Sequence, residues 1–95
     1  MEEIEDARKY AHDALACKAN KQTEDSELYF TLSNEELKHA GMQHDLAVKK
    51  IERYRKEHGE PPKIMLEKYE YYHKKYIEKA AEVKGLLYMY QEEKG

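Results

Sequence analysis

The strongest constraint on this chain is where its helix breakers stand. Both prolines are adjacent, in His58-Gly59-Glu60-Pro61-Pro62. Glycine there can close one helix, and proline can open the next. A softer break, Asn20-Lys21-Gln22-Thr23, is polar, and Thr23 ahead of Glu24 and Asp25 reads as a helix start. The threonine caps free amides, and the acids sit at the positive end of the helix dipole. The spacing predicts an all-α fold of three helices, at roughly 2–19, 24–57 and 62–93. Both connections are short, so consecutive helices are expected to run antiparallel. The whole of 1–95 reads as one domain, with no internal repeat and no low-complexity tail.

Composition narrows the classes of function. Charged residues make up 39% of the chain, with Glu, Lys, Leu and Ala mixed as in long amphipathic helices. Net charge is −3 with both signs interspersed, which argues against nucleic acid as the main partner. The densest basic stretch, Lys49 to Lys56, also holds Glu52 and reads as the wet face of a helix. There is no apolar run of bilayer length and no signal-peptide pattern, so no membrane is expected. Cys17 is the lone cysteine, which excludes an intrachain disulfide and fits a cytoplasmic setting. It lies at the edge of an apolar stripe and reads as a small hydrophobe. A chain this short buries little of its own surface, and a second copy is a natural source of core.

On a helical wheel the second helix carries a wide apolar arc, roughly 200°, that includes Leu28, Tyr29, Phe30, Leu32, Leu37, Ala40, Leu46, Ala47 and Ile51. An arc that wide implies burial on two sides. Glu36 falls near its centre and His39 within it, and a carboxylate there is costly unless paired or metal-bound. The first helix has a narrower arc of Ile4, Ala7, Tyr10, Ala11, Ala14 and Leu15. Glu3 falls inside that arc close to Tyr10 in angle, Glu5 points the other way, and Lys18 is expected to snorkel past the end of the core. The third helix carries Met65, Tyr69, Tyr72, Tyr76, Ala80, Val83, Leu87 and Tyr90 in one stripe. Its tyrosines are expected to pack against helices or a second subunit.

Glu36-x-x-His39 puts a carboxylate and an imidazole one turn apart on one face, where both can reach a metal pair. Folding the chain back about residue 21 or 22 brings Glu3 within about one turn of their level. Angle and height therefore point to the same three residues. Ser33-Asn34-Glu35-Glu36 also fits a capping box that would start a helix at Ser33, but the apolar arc continues upstream through Leu28, Tyr29 and Leu32. Glu70-x-x-His73 on the third helix mimics the motif in letters, yet lies far from the Glu36 level and reads as structural. Glu82 is at the right height and is the reserve ligand, His44 is expected to pack, and His12 and His58 read as surface residues.

Glu3, Tyr10 seven residues later, and then Glu36-Leu37-Lys38-His39-Ala40 resemble the first helical hairpin of bacterioferritins and rubrerythrins over roughly residues 3 to 62. The plan is similar above all to the short ferritin-like proteins carried inside encapsulin compartments, where two subunits complete one di-iron centre. That resemblance implies a ferritin-like hairpin (about 2–57) plus a third helix, with a four-helix core completed by dimerisation. It implies Glu3 and His39 as terminal ligands, Glu36 bridging the metals and Tyr10 supporting a carboxylate from behind. The implied cofactor is a di-iron pair, with Mn or Zn as substitutes, and the implied activity is ferroxidase, using oxygen or peroxide on Fe(II). The sequence departs from full-length ferritins in having no second hairpin and no crossover, and from cargo proteins in having no separate C-terminal tail. No cysteine cluster is present for a rubredoxin-type centre. The competing expectation is a metal-free helical assembly protein that keeps the hairpin for packing.

Overall fold

The computed structural model describes residues 2–94 and is all-helical, with no strand among the described residues. Its helices are α1 (Glu2–Ala19), α2 (Thr23–His58) and α3 (Lys63–Lys94), each within a residue of the expected boundaries. Contacts fix the directions. Ser33 of α2 meets Ala7 of α1, His44 of α2 meets His73 of α3, and Arg8 of α1 meets Glu82 of α3. Consecutive helices are therefore antiparallel, and α1 runs parallel to α3. No helix is long and apolar enough to cross a membrane among the described residues.

The two turns are built differently. After α1 the chain closes with the amide of Gln22 on the carbonyl of Cys17 (2.8 Å) and that of Lys21 on Lys18 (3.0 Å). Lys21 takes φ 62°, the left-handed conformation in which glycine is usual. Thr23 is not the cap expected from the sequence. Gln22 stands at that position without a side-chain hydrogen bond, and Thr23 is the first helical residue, its carbonyl accepting from Ser26 Oγ at 2.8 Å. That bond runs from a hydroxyl to a carbonyl, so no side chain caps the first amides of α2. At the other end Gly59 closes α2 with φ 85°, its amide on the Arg55 carbonyl, as its sequence position implies. Pro62 sits just outside α3, accepting from the amides of Met65 and Leu66.

The core is made of small residues. Ile4, Ala7, Ala11 and Ala14 of α1 pack with Ser26, Ser33 and Ala40 of α2 and with Ala80, Val83, Leu87 and Tyr90 of α3, all buried. Short side chains at α1–α2 let the backbones come close enough for Ser33 Oγ to donate to the Ala7 carbonyl at 2.7 Å. At the closed end Phe30 stacks on Tyr90 at 4.7 Å between centroids, and Lys18 snorkels as expected, its Nζ donating to the Tyr90 carbonyl at 2.6 Å. Ser26 Oγ and the Tyr90 hydroxyl share a buried hydrogen bond of 3.2 Å.

Length explains why the core is one-sided. The 18 residues of α1 span about 27 Å and the 36 of α2 about 54 Å at 1.5 Å per residue. The first helix therefore covers only half of α2, and every buried residue of α2 lies from Ser26 to Ala40. Beyond Ala40, α2 and α3 continue as a two-helix arm with a groove between them.

Candidate functional site

The α1–α2 seam sets the register of the residues singled out in the sequence. Tyr10 of α1 stacks on Tyr29 of α2, ring centroids 6.1 Å apart and planes 23° apart. Seven residues back along α1 and seven forward along α2 stand Glu3 and Glu36. Seven residues are close to two helical turns, so the two carboxylates occupy the same faces and the same level as the stacked tyrosines, one step nearer the arm. Both glutamates are half-buried, and so is Tyr10.

His39 stands one turn beyond Glu36 and is exposed to solvent, not enclosed within the arc as expected. The reason is rotational. The centre of burial on α2 runs along Ser26, Ser33 and Ala40, and the side of the expected arc that includes His39 faces away from α1 and α3. The same side carries Leu28, 56% exposed, and Leu46, 52% exposed. The wide apolar arc is thus covered on one side only, and Glu36 stands at its boundary. Among the described residues, no three His, Cys, Asp or Glu side chains converge closely enough to hold a metal ion within one chain.

The reserve ligand is engaged elsewhere. Glu82 accepts from Arg8 Nε at 2.9 Å, while Glu5, pointing away from Glu3, pairs with Lys79 and lies 3.8 Å from Arg8. These pairs tie α1 to α3 on the flank away from Glu36. Glu70 is exposed on α3, and His12 and His58 are exposed as expected.

A second cluster has no counterpart in the motif reading. Beside the first turn of α1, an open groove between α2 and α3 has about 330 Å³ lined by Glu3, His44, Tyr69, Tyr72, His73 and Tyr76, among others. His44 Nε2 and His73 Nδ1 approach to 2.6 Å. The His44 ring lies between Tyr76, at 4.6 Å, and Tyr69, at 6.5 Å. Packing alone was expected of His44; it packs and also hydrogen-bonds. His44 and His73 each lie three residues along from Gly41 and Tyr76, whose hydroxyl would stand 3.2 Å from a Cβ added at Gly41, so the antiparallel register of α2 and α3 would have paired them once that approach was known.

Compared with protein families, with curated proteins and with solved structures, the chain matches none.

Proposed function

We propose that this chain is a ferritin-like di-metal carboxylate protein that binds and oxidises Fe(II), with Glu3, Glu36 and His39 as one half of a site completed by a second copy. The observation that supports it is the register: the Tyr10–Tyr29 stack sets the level at which Glu3 and Glu36 face the same side of the hairpin. His39 follows one turn on, reaching outward to where a partner would lie. The donor set fits the ion, since carboxylates with one imidazole per metal suit Fe(II) or Mn(II), and ferritin-like sites use Glu and Glu-x-x-His on facing helices. Iron held there would supply one-electron chemistry toward oxygen or peroxide. Glu3 and Glu36 would hold the ions and neutralise their charge, His39 would add a nitrogen donor, and the Tyr10–Tyr29 stack keeps the two glutamate-bearing faces aligned.

The surface of the chain supports a partner. A compact monomer of 11.3 kDa exposes about 5,700 Å² by the scaling of accessible area with mass. This chain exposes 7015 Å², an excess of about 1,300 Å². Stable interfaces bury about 800 Å² or more per partner, so one self-association accounts for the excess. A two-fold contact is self-complementary and would bring two copies of Glu3, Glu36 and His39 together.

The test is aerobic Fe(II) oxidation by wild type, Glu36→Ala and Glu35→Gln. Loss of oxidation in Glu36→Ala alone supports the site; equal rates in all three remove it. No three metal-binding side chains converge among the described residues, and the second reading is a metal-free helical assembly protein. Dimerisation with no stoichiometric metal uptake would select that reading.

A further inference from the structure

Beyond Ala40 the fold has a mechanical weakness, because α2 and α3 run on without α1 between them. Their side chains partly fill the gap with tyrosines, and a polar contact from His44 Nε2 to His73 Nδ1 crosses it at 2.6 Å. The ring centroids are 4.8 Å apart and the planes 29° apart. An imidazole nitrogen lies about 1.1 Å from its ring centre, so these distances set both nitrogens close to the line between the rings, facing each other. With both rings neutral this is an N–H···N hydrogen bond: one proton lies between two lone pairs supplied by different helices.

Two imidazole lone pairs aimed at one point are also the beginning of a cation site. We propose that His44 and His73 bind a borderline divalent cation of the Zn(II), Co(II) or Ni(II) class, which takes the place of the shared proton and fastens the arm. Imidazole donors select such ions over Mg(II) or Ca(II). Zinc–nitrogen bonds are about 2.0–2.1 Å, so a tetrahedral ion needs the nitrogens about 3.3 Å apart, an opening of several tenths of an ångström. His73 is exposed and can make that movement, while His44 is half-buried and stacked between Tyr69 and Tyr76, so its ring is held in place. The proton leaving the shared bond moves through solvent to the outer nitrogen of its own ring, so both rings stay neutral and both inner nitrogens become free to ligate. Water completes the coordination from the open side of the groove. The function of such a site is structural: an ion that binds only when α2 and α3 are in register stabilises that register by mass action.

This site does not depend on Glu36, and the experiment uses that independence. Glu36→Ala protein, stripped with chelator, is titrated with Co(II) alone and followed by visible absorption and by far-ultraviolet circular-dichroism melting. The expected result is one equivalent per chain with a nitrogen-donor spectrum and a raised melting temperature. Adding His73→Asn or His44→Gln should weaken binding by at least about tenfold, whereas adding His39→Gln should leave it unchanged. Metal-free melts confirm folding, and His73→Asn, at an exposed position, keeps the test decisive if His44→Gln unfolds. Absence of stoichiometric Co(II) in the Glu36→Ala protein, or binding that survives His73→Asn, overturns the proposal. Either outcome leaves the Fe(II) oxidation test of Glu36 untouched.

Discussion

Ser33 offers the sharpest probe of how α1 and α2 are joined. Its side chain is fully buried, and its hydroxyl donates to the Ala7 carbonyl at 2.7 Å. In Ser33→Ala that bond is lost, but the Ala7 carbonyl keeps the helical amide four residues on, so no buried acceptor is left bare. The cost is then the net worth of one neutral hydrogen bond, about 0.5–1.5 kcal/mol. For a domain of this size 1 kcal/mol moves the melting temperature by roughly 4–8 °C. Ser33→Leu acts by a different route. It inserts a branched chain into a seam floored by Ala7 and Ala11, and overpacking of this kind costs typically about 1–3 kcal/mol on top of the lost bond. Thermal melts at one fixed protein concentration are the assay, since self-association would otherwise shift the midpoint. Ser33→Ala should melt about 2–12 °C below wild type, and Ser33→Leu a further 4 °C or more, roughly, below that. A Ser33→Leu protein as stable as wild type would refute close α1–α2 packing, and with it the register that sets Glu3 against Glu36.

Other substitutions test separate parts of the fold. Lys21→Gly should raise stability by up to about 1 kcal/mol in denaturant unfolding, because Lys21 holds φ 62°. Gly59→Ala should lower it by about 1–3 kcal/mol in the same experiment, since φ 85° with ψ −153° is a glycine conformation. Gly85→Ala, where an added methyl meets nothing within 4 Å, should stabilise α3 by about 0.5–1 kcal/mol. Leu46→Asp, at a position 52% exposed, should leave the monomer folded but weaken self-association in sedimentation velocity. An undiminished dimer would move the interface off that face of α2.

Much of the fold was legible in the letters because its punctuation is local. Gly59 and the proline pair stop one helix and start the next through backbone chemistry that needs no tertiary context, and the stripes of α1 and α3 foretold the buried Ile4, Ala7, Ala11, Val83 and Leu87. Ser33 was rightly placed inside a continuous helix, where it bonds across to α1 instead of starting a box. What the letters left open was rotation. An arc of about 200° on α2 does not say which part meets the chain's own helices, so His39 appeared enclosed when it is exposed. The His44–His73 pair depends on the relative setting of α2 and α3, which neither stripe encodes alone. Glu82 shows the same limit from the other side: it bonds to Arg8 of α1, a pairing that neither helix encodes alone.

The most direct test of the proposed shared di-metal site is anaerobic titration of Fe(II) into chelator-stripped protein, with iron counted per chain and assembly followed by sedimentation. Wild type should bind about two irons per dimer and associate more tightly as they bind. Glu35→Gln should do the same, and Glu36→Ala should do neither. Stoichiometric iron retained by Glu36→Ala, or a stable wild-type monomer holding two irons, would contradict a site shared between two copies.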